Sequence, residues 1–367
     1  MPFAIAGIPL GMLIDRVNRV RMLAILLTIW SGLTALCALA SEFWWMLLAR
    51  IGVGVAESGG TPANMSILCD YFSPAKRSRA FGIYYMAPHL GTIVGFALAG
   101  AVAAGFGWRA AFLLVGIPGL LLVLVLAKTI REPLRRGAAA TQVAASPEKA
   151  PPLTEVLQSL VDNRAALHMM LGGVLSSMVA AALFTWLAPF MIRLHGVSVR
   201  QAGFAIAFGM SPFAAVGSLL GGLMADRLGG FRSPRVAVLL AVAIGVTIPA
   251  VCLGLSSAAF AVLIGCFAAP NFAYVLTVGP SYASVVGLMP FRMRGVSTAL
   301  FQVASNVLGF GVGTQVIGLM SDALRPQFGV ESLRYTMIAF TFVDLWAIAH
   351  FLAAARAMAR PVDNGAS

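Results

Sequence analysis

Gly11-Met12-Leu13-Ile14-Asp15-Arg16-Val17-Asn18-Arg19 and Gly222-Leu223-Met224-Ala225-Asp226-Arg227-Leu228-Gly229-Gly230 are two copies of one pattern. In both, Gly and Asp stand four residues apart and Arg follows the Asp. Glycine lets a neighbouring helix approach closely. An Asp–Arg pair at a helix end bonds across to the next helix and to its exposed amide donors. The eighth position calls for a residue tolerant of positive φ, so that the chain turns tightly. Gly229 fills it in one copy and Asn18, the best non-glycine choice, in the other. One copy is weak evidence; two, each between consecutive apolar runs, argue for a chain of two related halves.

Those apolar runs set the class. The chain has 367 residues, 60% hydrophobic and 10% charged, against about 25% charged in soluble domains. A soluble enzyme, a disordered protein and a secreted disulfide scaffold are excluded. A membrane-crossing helix needs about 20 mostly apolar residues. Ten full spans are expected, near 22–40, 44–68, 79–104, 108–128, 165–193, 199–224, 235–255, 258–288, 292–320 and 332–357. Residues 1–14 form an eleventh apolar stretch, which reaches about 20 Å against a hydrocarbon core of about 30 Å. It has no charged segment before it, so a fragment is expected rather than a signal peptide. Cys37, Cys69, Cys252 and Cys266 lack paired spacing and read as small buried hydrophobes.

The net charge of +12 raises the question of nucleic acid, and its placement answers it. Nineteen of the 25 Lys and Arg fall in one set of connections and five (Arg109, Arg193, Arg200, Arg325, Arg334) in the alternate set, with Arg50 in or at the edge of a span. This is the positive-inside pattern. The rich set and the C-terminus are expected to be cytoplasmic, and no nucleic-acid partner is expected. The expected organisation is an N-terminal bundle at 1–128, a cytoplasmic linker at 129–164 and a C-terminal bundle at 165–360. Within the linker, 137–152 is Ala/Pro-rich and polar. Leu153, Val156, Leu157, Leu160 and Val161 share one face, which fits either a short helix on the membrane surface or more linker.

The paired motif resembles the signature loop of the major facilitator superfamily, G-x-x-x-D-R-x-G-R. The resemblance covers the whole chain as six plus six spans, with the first span and part of the second absent. Arg50-Ile51-Gly52-Val53-Gly54-Val55-Ala56-Glu57-Ser58, followed by Asp70-Tyr71-Phe72-Ser73-Pro74-Ala75-Lys76-Arg77-Ser78-Arg79-Ala80, is similar to bacterial relatives of the Spinster lipid transporters. Ala56 stands where that branch often has Gly, and Ser58 replaces its usual Ala. Ser332-Leu333-Arg334-Tyr335 before the last span is also similar to that branch.

The resemblance implies an all-α multi-pass protein of a bacterial inner membrane, a monomer without cofactor. It implies secondary transport by alternating access, with protons and a small-molecule or lipid substrate, an amphipathic lipid or organic anion. Uptake of a carboxylated metabolite with protons, or a receptor that kept the fold without turnover, are the alternatives. No phosphate loop or metal-ligand spacing is present in the sequence, so neither ATP drive nor an enzyme is expected.

Charged residues inside spans are costly and usually functional. Glu57 lies mid-span, and Arg50 lies two turns earlier on the same face, about 10.5 Å away along the axis. The pair suits proton and substrate coupling, or a static buried ion pair between helices. Gly11, Asp15, Arg16, Arg19, Asp70, Gly222, Asp226 and Arg227 form the expected gating set. Asp344, in the last span, is expected to pack against a neighbouring helix in a structural role. Tyr85, His89, Phe184, Trp186, Tyr274, Gln302 and Asn306 are the candidate pocket residues, polar or aromatic at mid-span. For His89 a satisfied core histidine is the competing reading. Pro88, Pro189, Pro212 and Pro280 are expected to interrupt backbone bonding within spans.

Overall fold

The structure, a computed structural model, describes residues 17–72, 74–133, 152–230, 232–290 and 293–359, with positions 6, 7, 9, 10 and 13 before them. Among the described residues every regular element is helical. They are α1 (Arg19–Leu36), α2 (Phe43–Glu57), α3 (Gly60–Tyr71), α4 (Pro74–Thr129), α5 (Leu153–Asp162), α6 (Arg164–His195), α7 (Val199–Gly209), α8 (Ser211–Arg227), α9 (Pro234–Ser256), α10 (Phe260–Leu288), α11 (Arg294–Asn306), α12 (Thr314–Phe328), α13 (Ser332–Thr341) and α14 (Asp344–Ala359). A π-helical stretch, Val307–Gly313, joins α11 to α12.

Among the described residues, seven continuous helical runs are long and apolar enough to cross a membrane. The run Leu90–Thr129 holds two expected spans. They join at Gly107, whose φ of 82° and ψ of 166° take the chain out of one helix and into the next. The run Val296–Ala359 holds two more, joined at the 3-10 turn Gly329–Glu331. The span expected at 44–68 is split into α2 and α3, of 15 and 12 residues. Of the four prolines expected inside spans, Pro88, Pro189 and Pro280 lie within helices. Pro212 lies inside the run Val199–Arg227 at the break between α7 and α8, in the first turn of α8, where its missing N–H costs nothing.

The chain forms two compact units, Met1–Lys149 with Ser198–Phe204, and Ala150–Val197 with Ala205–Ser367. Lipid gives helices no hydrophobic reason to associate, so small residues and close packing must do it. In the N-terminal unit, α1 is the element that the others grip. A Cβ on Gly116 of α4 would stand 2.6 Å from the Ala35 backbone nitrogen of α1, and one on Gly52 of α2 would stand 2.6 Å from Leu33. In the C-terminal unit, Gly172 and Gly173 of α6 seat two rings. Phe351 of α14 and Phe301 of α11 occupy the space where their side chains would be. Val156 and Leu160 of α5 join that core, while Leu153, Leu157 and Val161 remain exposed on the outer side of the same short helix.

Two readings of the duplicated motif are corrected here. Asn18 does not take positive φ; at φ −66° and ψ 111° it caps α1, its side chain accepting from the Arg21 amide. An N-cap asparagine needs extended backbone and uses its carbonyl oxygen, so the residue serves the helix rather than the turn. Gly229 does take positive φ, at 102°. Gly222 has nothing within 4 Å of where a Cβ would be. The close approach falls one residue earlier, where a Cβ on Gly221 would lie 2.2 Å from the Leu276 carbonyl oxygen of α10.

Gly221→Leu is therefore expected to destabilise the protein by about 1–3 kcal/mol through overpacking. Gly222→Leu is expected to melt like wild type. Thermal melts of the two purified variants decide it, and equal midpoints would contradict the α8–α10 contact.

Candidate functional site

The first site begins with the side of α2 and α3 that is not available. Gly52 fits under Leu33, Gly59 under Leu26 and Gly60 under Trp30, all on α1. Ala56 and Ala63, 3% and 0% exposed, fill the same buried side. Arg50 and Glu57 share the other face, and both are exposed. Among the described residues neither has an ion-pair or hydrogen-bond partner. This corrects the buried ion-pair reading: the packed stripe of small residues turns the two charges away from α1. Glu57 is also the last residue of α2, directly before the interruption at Ser58 and Gly59. An acid at a helix break has more conformational freedom than one inside a continuous helix.

The second arrangement ties three helix ends together. Arg19, 2% exposed at the start of α1, donates from Nη1 to Asp70 Oδ2 at 2.6 Å, at the end of α3. Its Nε donates to Glu132 Oε1 at 2.7 Å, just beyond α4. Its Nη2 donates to the Pro133 carbonyl oxygen at 3.2 Å. The other Glu132 oxygen accepts from the Val20 backbone N–H at 2.9 Å, an exposed donor of the α1 N-terminus, where an anion is favoured. Tyr71 adds a bond from its hydroxyl to the Arg131 carbonyl oxygen at 2.6 Å. Glu132 was not among the sequence candidates. The signal for it was an acid alone among arginines directly after a span, in Arg131-Glu132-Pro133.

The third is a cavity of about 180 Å³ in the C-terminal unit, between α6, α10 and α11 with the π-helical stretch. Tyr274, Gln302 and Asn306 line it. Tyr282 donates its hydroxyl to Gln302 Oε1 at 3.2 Å and stacks on Phe301 with centroids 4.1 Å apart. Asn306 donates to the Gln302 carbonyl oxygen at 3.0 Å. The Ser281 and Ser305 hydroxyls, also on the cavity, have no bonding partner among the described residues. Every lining side chain is uncharged, so the cavity offers hydrogen bonds and aromatic surface without a counter-ion.

Two pocket candidates lie elsewhere. Trp186 donates its indole N–H to the Thr314 carbonyl oxygen at 2.9 Å and covers Gly318. It closes α6 on α12 and does not line the cavity: its half-buried indole finds its acceptor on Thr314, the first residue of α12. Phe184, half-buried, is not on the cavity either. Tyr85 and His89 lie within α4, with side chains outside the described residues, as are Gly11, Asp15 and Arg16.

The profile of the Major Facilitator Superfamily matches residues 1–314. The chain belongs to the Major Facilitator Superfamily. Over 363 residues this facilitator-superfamily protein is 27% identical to an MFS-type efflux pump of Mycolicibacterium smegmatis, a match covering 96% of this chain and 81% of that protein. It is 26% identical over 389 residues to the sphingosine-1-phosphate transporter SPNS2 of Danio rerio, covering 96% and 74%. Among solved structures, a bacterial homologue of the human lysosomal transporter Spinster, in an inward-facing and unoccupied conformation, matches with a TM-score of 0.83. The identity is 27%, and 97% of this chain and 88% of that one are covered. The superfamily motif is thus present twice, but its described parts differ. In the N-terminal unit Arg19 is fully engaged. In the C-terminal unit Asp226 and Arg227 are exposed and, among the described residues, their side chains have no partner.

Proposed function

We propose that this superfamily member is a secondary active transporter that moves an amphipathic anion, a lipid or organic acid, by alternating access coupled to protons. The observation that carries the reading is the α2 face on which Arg50 and Glu57 stand exposed and, among the described residues, unpaired, two turns apart. A guanidinium is suited to a phosphate or carboxylate head group. A carboxyl nearby, inside a membrane span, is suited to load and release a proton. The C-terminal unit, taken by itself, holds an uncharged cavity whose lining offers hydrogen-bond donors and aromatic surface. The likeness to a sphingosine-1-phosphate transporter and to Spinster agrees with a cargo bearing both an anionic head and an apolar tail. The engaged Arg19–Asp70–Glu132 cluster serves as a latch between helix ends that opens and closes with the cycle, and the Asp226–Arg227 pair serves as its counterpart.

The test is transport in proteoliposomes under an imposed pH gradient. Fluorescent lysophospholipid with an anionic head, its zwitterionic analogue and a short sugar acid are offered in turn. Gradient-driven flux of the anionic amphiphile, several-fold above the other two, is expected. Flux that favours the short acid would instead support uptake of a carboxylated metabolite, and no gradient-driven flux of any would refute coupling.

A further inference from the structure

A second titratable group lies far from Glu57 in the chain. Asp344 opens α14 inside the last span and is 4% exposed. Its carboxyl faces Thr247 of α9, itself 5% exposed. The Thr247 hydroxyl oxygen lies 2.7 Å from the Ile244 carbonyl oxygen and 3.2 Å from Asp344 Oδ2. The other carboxyl oxygen, Oδ1, is buried without a hydrogen-bond partner among the described residues.

Proton counting decides what this arrangement means. A threonine hydroxyl has one hydrogen, and a backbone carbonyl has none to give. The shorter contact to Ile244 takes the threonine hydrogen. While that hydrogen stays on Ile244, the 3.2 Å contact with Asp344 Oδ2 is a bond only with the carboxyl as donor; the hydroxyl donates to Oδ2 instead only by giving up Ile244. An ionised carboxyl here would meet an acceptor with one oxygen and apolar surroundings with the other, which is costly at membrane depth.

Among the described residues, no cation pairs with it. On α9 the one charged residue is Arg235, in the first turn, three turns from Thr247. On α6 the titratable groups are Arg164 and His168 at one end and Arg193 and His195 at the other. Arg334 and Tyr335 are at the far end of α13. On α14, His350 is six residues beyond Asp344, and its Nδ1 is 2.8 Å from that of His168. The Tyr274 phenol is within electrostatic reach of Asp344, and it lines the cavity of the same unit.

We propose that Asp344 is a proton-binding site of the C-terminal unit, in which the bound proton makes the Asp344–Thr247 bond that joins α14 to α9. On release of the proton to water, the Thr247 hydroxyl must leave Ile244 and turn toward the carboxylate, or the two helices must part. Protonation and the α9–α14 contact are thereby linked, independently of whether Glu57 couples transport.

Infrared spectroscopy of the full chain in nanodiscs tests this in a Glu57→Gln background. At neutral pH a protonated-carboxyl C=O band is expected, shifted in D2O and by Thr247→Val, and missing in Asp344→Asn. The asparagine variant keeps a neutral donor toward Thr247, so it is expected to fold. Raising the pH should bleach the band in the parent protein. Identical parent and Asp344→Asn spectra at neutral pH would overturn the proposal. So would a band that never bleaches while the protein stays folded, the mark of a permanently protonated structural acid.

Discussion

Glu57→Gln is expected to abolish accumulation of substrate driven by a pH gradient while leaving the protein folded. Glutamine keeps the shape and polarity of the side chain and removes its titration. Because Glu57 is exposed and, among the described residues, unpartnered, the change should alter stability by no more than about 0.5 kcal/mol. Substrate exchange without a gradient should persist, since it needs binding and switching but no net proton movement. Arg50→Gln should behave differently. It removes a charge-assisted contact to the anionic head, worth about 1.5–3 kcal/mol, and should raise the half-saturation concentration about tenfold or more with the pH dependence retained. The two signatures separate in one series of flux measurements at several pH values. If Glu57→Gln keeps the wild-type pH profile, the proton role of this residue is wrong.

The expected spans were legible because bilayer thickness imposes a length on apolar runs that no soluble core imposes. The repeated motif and the polar interruption suggested two related halves; the two compact units are Met1–Lys149 with Ser198–Phe204, and Ala150–Val197 with Ala205–Ser367. What the sequence concealed was local and depended on partners distant in the chain. The split between α2 and α3 falls just before Pro62, in the first turn of α3, a cue the span reading passed over. The π-helical stretch after Asn306 follows from Gly309 and Gly313 packing on α6 at Ser177 and Met178, which glycine spacing alone does not reveal. Gly229 and Asn18 occupy the same motif position and do different work, one turning the chain and the other capping a helix. Trp186 and Gln302 looked equivalent as mid-span candidates. One spends its donor on a backbone carbonyl, the other faces a cavity, and only the position of a third helix distinguishes them. Glu132 was missed because its partner Arg19 is separated from it by |i−j| = 113.

Arg19→Met should be the most destabilising of the single changes considered. The guanidinium sits 2% exposed between two carboxylates, Asp70 being 4% exposed and Glu132 24%. Methionine fills much of the volume but takes from Asp70 the guanidinium that bonds it at 2.6 Å. Breaking a buried pair by removing one partner costs about 3–5 kcal/mol, because the remaining charge is stranded, whereas replacing both partners is often nearly neutral. The double variant Arg19→Met/Asp70→Asn is therefore expected to recover a large part of the loss. Glu132 should tolerate the change better, since it is partly solvated and keeps the Val20 amide as a donor. Thermal unfolding of the wild type, both single variants and the double variant closes the cycle. A coupling near zero between positions 19 and 70 would mean that the contact contributes geometry without energy. Strong coupling, together with slowed exchange in Asp70→Asn at unchanged substrate affinity, is the result expected of a latch joining the ends of α1, α3 and α4.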